Sequence, residues 1–222
     1  MLRRNVLLSG ALIALFVLAV VVAVVVARPS AGDQSEATTP TPPGAAAQVV
    51  RDDSHVLDDA GEGAPVLVEF LDFECEACRA AYPLVEQIRQ EHAGELTFVV
   101  RYFPIPSHAN AMNAAVAVEA AAQQGRFEDM YALMYQTQAE WGEQQDSQAA
   151  LFRQFAQDLG LDMDAYDSAV ADPATQARVE QDQQDGISLG VQGTPTFFLD
   201  GELMQPESAE DFQAQIDAAV NG

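Results

Sequence analysis

The chain has 222 residues, with 34 Asp and Glu against 10 basic residues, all of them arginine, for a formal net charge of −24. Arg3, Arg4 and Arg28 precede every acid, so residues 29–222 set seven arginines against all 34 acids; such a surface repels nucleic acid and anionic lipid headgroups and excludes nucleic acid as a partner. The length allows one domain of ordinary size with a real core, and the acidic surplus reads as a solvated face rather than a dedicated patch for basic partners.

Taken in chain order, residues 1–5 form a short stub with Arg3 and Arg4, and residues 6–27 carry no charge and are almost wholly Leu, Ile, Val, Ala and Phe. At helical rise that run spans roughly 33 Å, the thickness of a hydrocarbon core. The arginines ahead of it predict a single-pass anchor with its N-terminus in the cytoplasm and the rest of the chain outside. A cleaved signal peptide is the competing reading, disfavoured by the length of the run and a weak cleavage pattern around Val25, Val26 and Ala27; it would make the remainder secreted. Residues 28–48 have four prolines and no apolar period, which predicts a disordered tether.

The folded domain is expected over residues 49–222. A short strand at 55–57 is followed by a turn through 58–63, a main strand at 66–72, a helix from the two cysteines to about residue 93, and a strand at 96–102. Strand, helix, strand at this spacing predicts a parallel crossover, with a kink where Pro83 falls inside the helix. From about 107 to 190 the pattern is helical only, with helices at 109–123, 126–138, 147–159, 162–170 and 174–189 punctuated by Gly125, Gly142, Gly160 and Pro173. Strand character returns at 196–199, Asp200 and Gly201 turn into 202–204, and a last helix covers 207–220. The fold class is therefore α/β, with a helical block of about 80 residues interrupting the sheet.

Cys75 and Cys78 are the only cysteines, and they stand where the main strand runs into its helix. A CxxC pair has three readings: redox centre, half a metal site, or structural staple. The staple is weak, because closing so short a loop stabilises by only about 2 kcal/mol against about 4.7 for a 100-residue loop. The metal site lacks partners, since closed zinc sites take four ligands and only His55, His92 and His108 are available. As a redox pair, Cys75 gains from the unpaired amides and partial positive charge of a helix N-terminus, which favour its thiolate, while Cys78 lies a turn deeper as the resolving thiol. Glu69 shares strand parity with Leu67, Leu71 and Phe73, which predicts a carboxyl with raised pKa if that face is buried, and an ordinary solvated one if it is not.

The run from Glu69 to Arg79, then Arg101-Tyr102-Phe103-Pro104-Ile105 with His108, then Gly190-Val191-Gln192-Gly193-Thr194-Pro195-Thr196-Phe197-Phe198, resembles the DsbA-like branch of thioredoxin-fold thiol–disulfide oxidoreductases, in particular its membrane-tethered exported forms. The resemblance covers residues 48–222. It implies a thioredoxin fold of four or five strands with an inserted helical subdomain, Cys75 as attacking cysteine and Cys78 as its buried partner. It also implies that Glu69 is proton acceptor for the inner thiol and that Pro195 is a cis-proline facing the disulfide, beside which the Thr194 backbone holds a substrate strand. The implied activity introduces disulfides into unfolded or reduced exported proteins, uses no cofactor, and depends on an integral-membrane, quinone-linked partner for reoxidation. Disulfide reduction or isomerisation, or an exported binding module with a permanent disulfide, are the rival functions.

The sequence departs from strongly oxidising members of that family in having Glu76-Ala77 between the cysteines in place of Pro-His. Asp72, Glu74 and Glu76 crowd the pair and are expected to raise its thiol pKa, Arg79 one turn on partly offsetting them, which predicts a milder oxidant. His108 reads equally as a cap or packing residue and as a participant; Trp141, the only tryptophan, reads as packing.

Overall fold

The central strand is made from the most apolar run of the domain. In the computed structural model, which describes residues 48–222, β2 (Val66–Leu71) pairs in parallel with β3 (Thr97–Tyr102) and antiparallel with β4 (Thr196–Leu199). β1 (His55–Asp58) joins β3 antiparallel and β5 (Glu202–Leu203) joins β4 antiparallel, so five strands lie in the order β1-β3-β2-β4-β5. The stub at 1–5, the anchor at 6–27 and the tether at 28–48 up to its last residue lie outside the described residues. Among the described residues no helix is long and apolar enough to cross a membrane.

The crossover from β2 to β3 is α1 (Glu76–Glu91), which continues through Pro83. Five helices follow: α2 (Ala111–Ala122), α3 (Phe127–Trp141), α4 (Ala149–Asp158), α5 (Met163–Ala171) and α6 (Pro173–Ser188). The chain then returns to β4 and β5 and ends in α7 (Ala209–Asn221). Several ends are set locally: Asp162 and Asp172 cap α5 and α6 with their carboxylates, Pro173 occupies the first turn of α6, and Ser208 caps α7 through the Asp211 amide.

Both faces of the sheet are covered, which is why β2 reads as a nearly continuous apolar run. One face packs Leu67, Leu71, Phe98 and Val100 against Cys78, Val85 and Ile88 of α1, Tyr131 and Met134 of α3, and Phe212 and Ile216 of α7. The other packs Val68, Phe70, Val99 and Phe198 with Phe103 and Val191. Gly186 of α6 approaches that second face so closely that a Cβ would lie 2.7 Å from Phe103 Cδ2 and 3.1 Å from Phe70 Cδ1. The helical block is thus not separate from the sheet: its last helix closes the sheet's second face.

Charges tie the block to the sheet from within. Arg101, fully buried on β3, donates from Nε to Asp182 at 2.7 Å and from Nη2 to Asp185 at 2.7 Å, while Nη1 holds the Gln48 and Val49 carbonyls at 2.8 Å. On the other side, Glu119 of α2 meets His55 Nε2 at 2.7 Å and accepts from the Tyr102 hydroxyl at 3.0 Å. Trp141 packs edge-on against Phe152 with centroids 4.8 Å apart, the packing role its sequence context indicates.

Candidate active site

β2 delivers the chain to the N-terminus of α1 through a tight turn. The Cys75 amide donates to the Asp72 carbonyl at 3.1 Å, and Cys75 then stands at the N-cap of α1 in extended backbone conformation (φ −68°, ψ 121°), with no side-chain cap bond. The first amides of the helix therefore remain open to the Cys75 sulfur. Cys78 lies one turn in. Both are free thiols, Cys75 7% exposed and Cys78 1% exposed.

Their environments drive the two thiols apart. Cys75 is lowered to about 5, first by a hydrogen bond from the Cys78 thiol, opposed by burial and then assisted by the backbone amides of Cys78 and Ala77. In the thiol form Cys75 Sγ donates to the Thr194 carbonyl at 3.3 Å, so that carbonyl, expected to be free for a substrate strand, is engaged here. Thr194 Oγ1 is buried without a hydrogen-bond partner. On ionisation Cys75 gives up the carbonyl and accepts from the donors around it. Cys78 moves the other way, raised well above the usual thiol range by burial first and then by its bond to Cys75 and the charges of Glu69 and Cys75. The Thr194–Pro195 peptide is cis, as the sequence resemblance implies.

The acidic flank does not act as expected. Asp72 is 1% exposed and its carboxylate is used internally: Oδ1 accepts from the Glu74 amide at 2.8 Å, and Oδ2 from the Ile105 amide at 2.8 Å with His108 Nδ1 at 2.7 Å. Burial raises its pKa, while those three donors lower it. Glu74 Oε2 accepts from the Asn110 amide at 2.6 Å. Glu76 and Arg79 are exposed on the first turns of α1. Helix geometry and these internal bonds, rather than sequence proximity, decide which charges reach the sulfur, and the forces that set Cys75 come from thiol and amide donors. His108 is brought to Asp72, where it braces the turn. Of the seven arginines among the described residues, six have acidic partners within 4 Å and Arg79 has none, which leaves its charge available beside the cysteines.

Glu69 sits on β2 between Val100 of β3 and Phe197 of β4, 2% exposed, with Oε2 lacking a hydrogen-bond partner. Its pKa is raised from 4.5 to about 8, chiefly by desolvation and then by the charges of Glu86 and Cys75. It lies on the face of β2 that holds Leu67, Leu71 and the cysteines, so the buried alternative for this carboxyl is the one realised.

Gln138, on α3, is a site residue that sequence reasoning missed. Buried in the domain, its Nε2 donates to the Phe73 carbonyl at 2.7 Å and the Cys75 carbonyl at 2.9 Å, clamping the turn that presents the cysteine. A lone glutamine 60 residues downstream carries no signal in sequence; only its place on the inward stripe of α3 hints at burial. A groove of about 620 Å³ opens beside the cis peptide, lined by Gln192, Thr194, Pro195, Phe197, Leu203 and Pro206 among others. A second cleft of about 330 Å³ between helices of the inserted block, bordered by Met112, Phe152 and Tyr166, shares no residue with the cysteine site.

A thioredoxin family model matches residues 61–218. The fold is similar to that of a thioredoxin-like oxidoreductase from Silicibacter pomeroyi DSS-3, at 26% identity and a TM-score of 0.63 over 80% of this chain and 96% of that one. It is also similar to α-DsbA1 of Wolbachia pipientis, at 18% identity and a TM-score of 0.65 over 78% and 93%. In sequence the chain is 34% identical over 142 residues to Na(+)/H(+) antiporter NhaA 1 of Mycobacterium sp. strain KMS, covering 62% of this chain and 22% of that protein. The chain thus spans about a fifth of the length of the curated relatives it matches.

Proposed function

The chain belongs to the thioredoxin family and has the fold of DsbA-type thiol–disulfide oxidoreductases, and on that premise we propose that it is a membrane-anchored thiol:disulfide oxidoreductase forming disulfides in exported proteins through Cys75 and Cys78. The observation that carries this reading is the placement of the two thiols: Cys75 at the helix N-cap, where the Cys78 thiol and open amides lower its pKa, and Cys78 one turn in and 1% exposed, where burial raises it, a split in opposite directions. A staple has no use for such a split; an exchange centre does.

In the oxidising direction a substrate thiolate attacks Cys75 Sγ of the Cys75–Cys78 disulfide. The sulfur–sulfur bond breaks, and its electron pair goes to Cys78, which takes a proton from Glu69, protonated at neutral pH. A second substrate thiolate then attacks the substrate sulfur of the mixed disulfide and expels Cys75 as a thiolate. The substrate leaves oxidised by two electrons and the protein holds them. A Cys75 thiolate stable at neutral pH is a good leaving group and stabilises the reduced protein, which supports the oxidising direction over reduction or isomerisation and speaks against the mildness expected from the flanking acids. The groove beside Pro195 offers the substrate chain apolar contact through Phe197 and Leu203. The anchor at 6–27, an extracytoplasmic domain and a quinone-linked membrane reoxidant complete the proposal; the ion transport named for the longer antiporter relatives is not part of it.

The test is a redox titration of the full chain against glutathione together with a Cys78→Ala trap in cells. An oxidising potential and mixed disulfides between Cys75 and exported proteins are expected. A potential near or below about −270 mV would replace the oxidant with a reductase, and absence of any mixed disulfide would point to a permanent disulfide in a binding module.

A further inference from the structure

Along α3 the buried side chains are Met130, Tyr131, Met134, Tyr135, Gln138 and Trp141, at the three- and four-residue spacing of a helix face packed against a core. Gln138 is the one member of that stripe with a side-chain amide, and it is 2% exposed. An amide in an apolar wall is costly unless its hydrogens are used. Nε2 has two, and both go to one turn: the Phe73 carbonyl accepts at 2.7 Å and the Cys75 carbonyl at 2.9 Å. The Cys75 carbonyl also accepts from the Arg79 amide at 3.1 Å, the bond that closes the first turn of α1. Closing the helix therefore does not require Gln138, and a second donor on that oxygen calls for a further reason.

We propose that Gln138 is a positioning residue that biases the Cys75–Cys78 couple toward its reduced form, and so makes the protein a stronger oxidant, by covering two backbone carbonyls in the turn that carries the reactive sulfur. The inference deepens the reading of Cys75 and Cys78 as an exchange centre and rests on it. Opening the disulfide leaves a negative charge on Cys75 Sγ, held by the Cys78 thiol and the first amides of α1. The negative ends of the peptide dipoles at Phe73 and Cys75 are buried in the same turn, where a low dielectric strengthens their opposition to that charge. The Gln138 N–H groups set positive ends against both oxygens and cancel part of it. The Cys75 carbonyl shares its peptide unit with the Glu76 amide, the first of the helix, so donation to the oxygen also polarises that amide and adds to the positive end of α1. The disulfide carries no charge, so the reduced state alone gains. Asp72 and Glu74 of the same turn are held through their side chains, by the Ile105 amide with His108 and by the Asn110 amide. Gln138 is the side chain that reaches the turn's backbone oxygens, and it does so from the inserted helical block.

Gln138 acts through Cys75, so the test reads the redox equilibrium and the thiolate rather than activity alone. The full chain, as wild type, Gln138→Met, Gln138→Asn and Gly186→Ala, is equilibrated at pH 7 with glutathione buffers, and its reduced fraction is read by alkylation and mass. Thiolate absorbance of each reduced protein is titrated alongside. Gln138→Met keeps the length of the side chain and removes the donor. It is expected to move the equilibrium about 10-fold toward the oxidised protein, equivalent to about 30 mV, and the Cys75 midpoint up by about one unit. Gln138→Asn keeps the amide but falls one methylene short of spanning both carbonyls; it shifts less in the same direction, and keeps the test decisive should Gln138→Met fail to fold. Gly186→Ala loosens the far face of the sheet and controls for lost stability, with neither readout moved. A wild-type equilibrium and midpoint in the Gln138 variants, or a shift matched by Gly186→Ala, would overturn the inference and leave the functional reading standing. A wild type that does not exchange with glutathione would overturn both.

Discussion

Replacing Glu69 by glutamine should make the protein more stable at neutral pH while making it a poorer catalyst. Glu69 is 2% exposed with a folded-state pKa of about 8 against 4.5 when unfolded. Because the folded value is the higher one, the folded protein binds the extra proton between those two values, so the stability linked to this carboxyl is fully present below about pH 4.5 and is lost progressively as pH rises to about 8. At pH 7 the interval traversed is about 2.5 units, equivalent to about 3 kcal/mol at 1.36 kcal/mol per unit. Glutamine has the same shape and no charge to bury, so Glu69→Gln should recover most of that energy, a rise in Tm of about 6–12 °C for a domain of this size. The assay is thermal and urea denaturation of the reduced full chain at intervals between about pH 5 and pH 9, wild type beside Glu69→Gln. The two stability curves should converge at the acid end and separate with rising pH. Curves that run parallel, or a variant less stable than wild type at pH 8, would refute the argument that desolvation dominates this site.

Three further outcomes follow from the same geometry. Ultraviolet titration of thiolate absorbance in the reduced protein should show one thiolate appearing with a midpoint at about 5 and no second below pH 9; a single transition near the ordinary thiol value would remove the basis for the oxidising direction. Gln138→Ala should destabilise by about 2–4 kcal/mol, since it strips the Phe73 and Cys75 carbonyls of a buried donor, and should slow disulfide exchange more than it changes client binding. Gly186→Ala should lower stability by about 1–3 kcal/mol in urea melts with no change in the thiolate titration, because the added methyl collides with Phe103 and Phe70 on the face of the sheet away from the cysteines.

The elements near the cysteines were the most legible. β2 and α1 carry strong local signals, an apolar run and then a helical period, and the structure starts and ends them within a few residues of the expected bounds. Glu69 was half legible: alternation placed it on the cysteine face, but whether that face is buried depends on α1 and α3 packing over it. The acidic flank misled because proximity in sequence is not proximity to the sulfur; Asp72 and Glu74 turn to backbone amides and His108, whose partners lie more than 30 residues away. Gln138 was invisible, since amphipathic period reports burial and not which distant carbonyls a buried amide will meet.

The sequence by itself determined the α/β class, the helical interruption, the cysteine pair at a helix start and the residues that carry the family resemblance, because these depend on period, composition and short-range spacing. The tertiary structure decided the chemistry of the pair. It set one thiol against the other, desolvated Glu69, turned Asp72 and Glu74 to internal donors and clamped the turn from α3, because pKa and orientation are fixed by which donors and apolar walls converge in space from segments far apart in the chain.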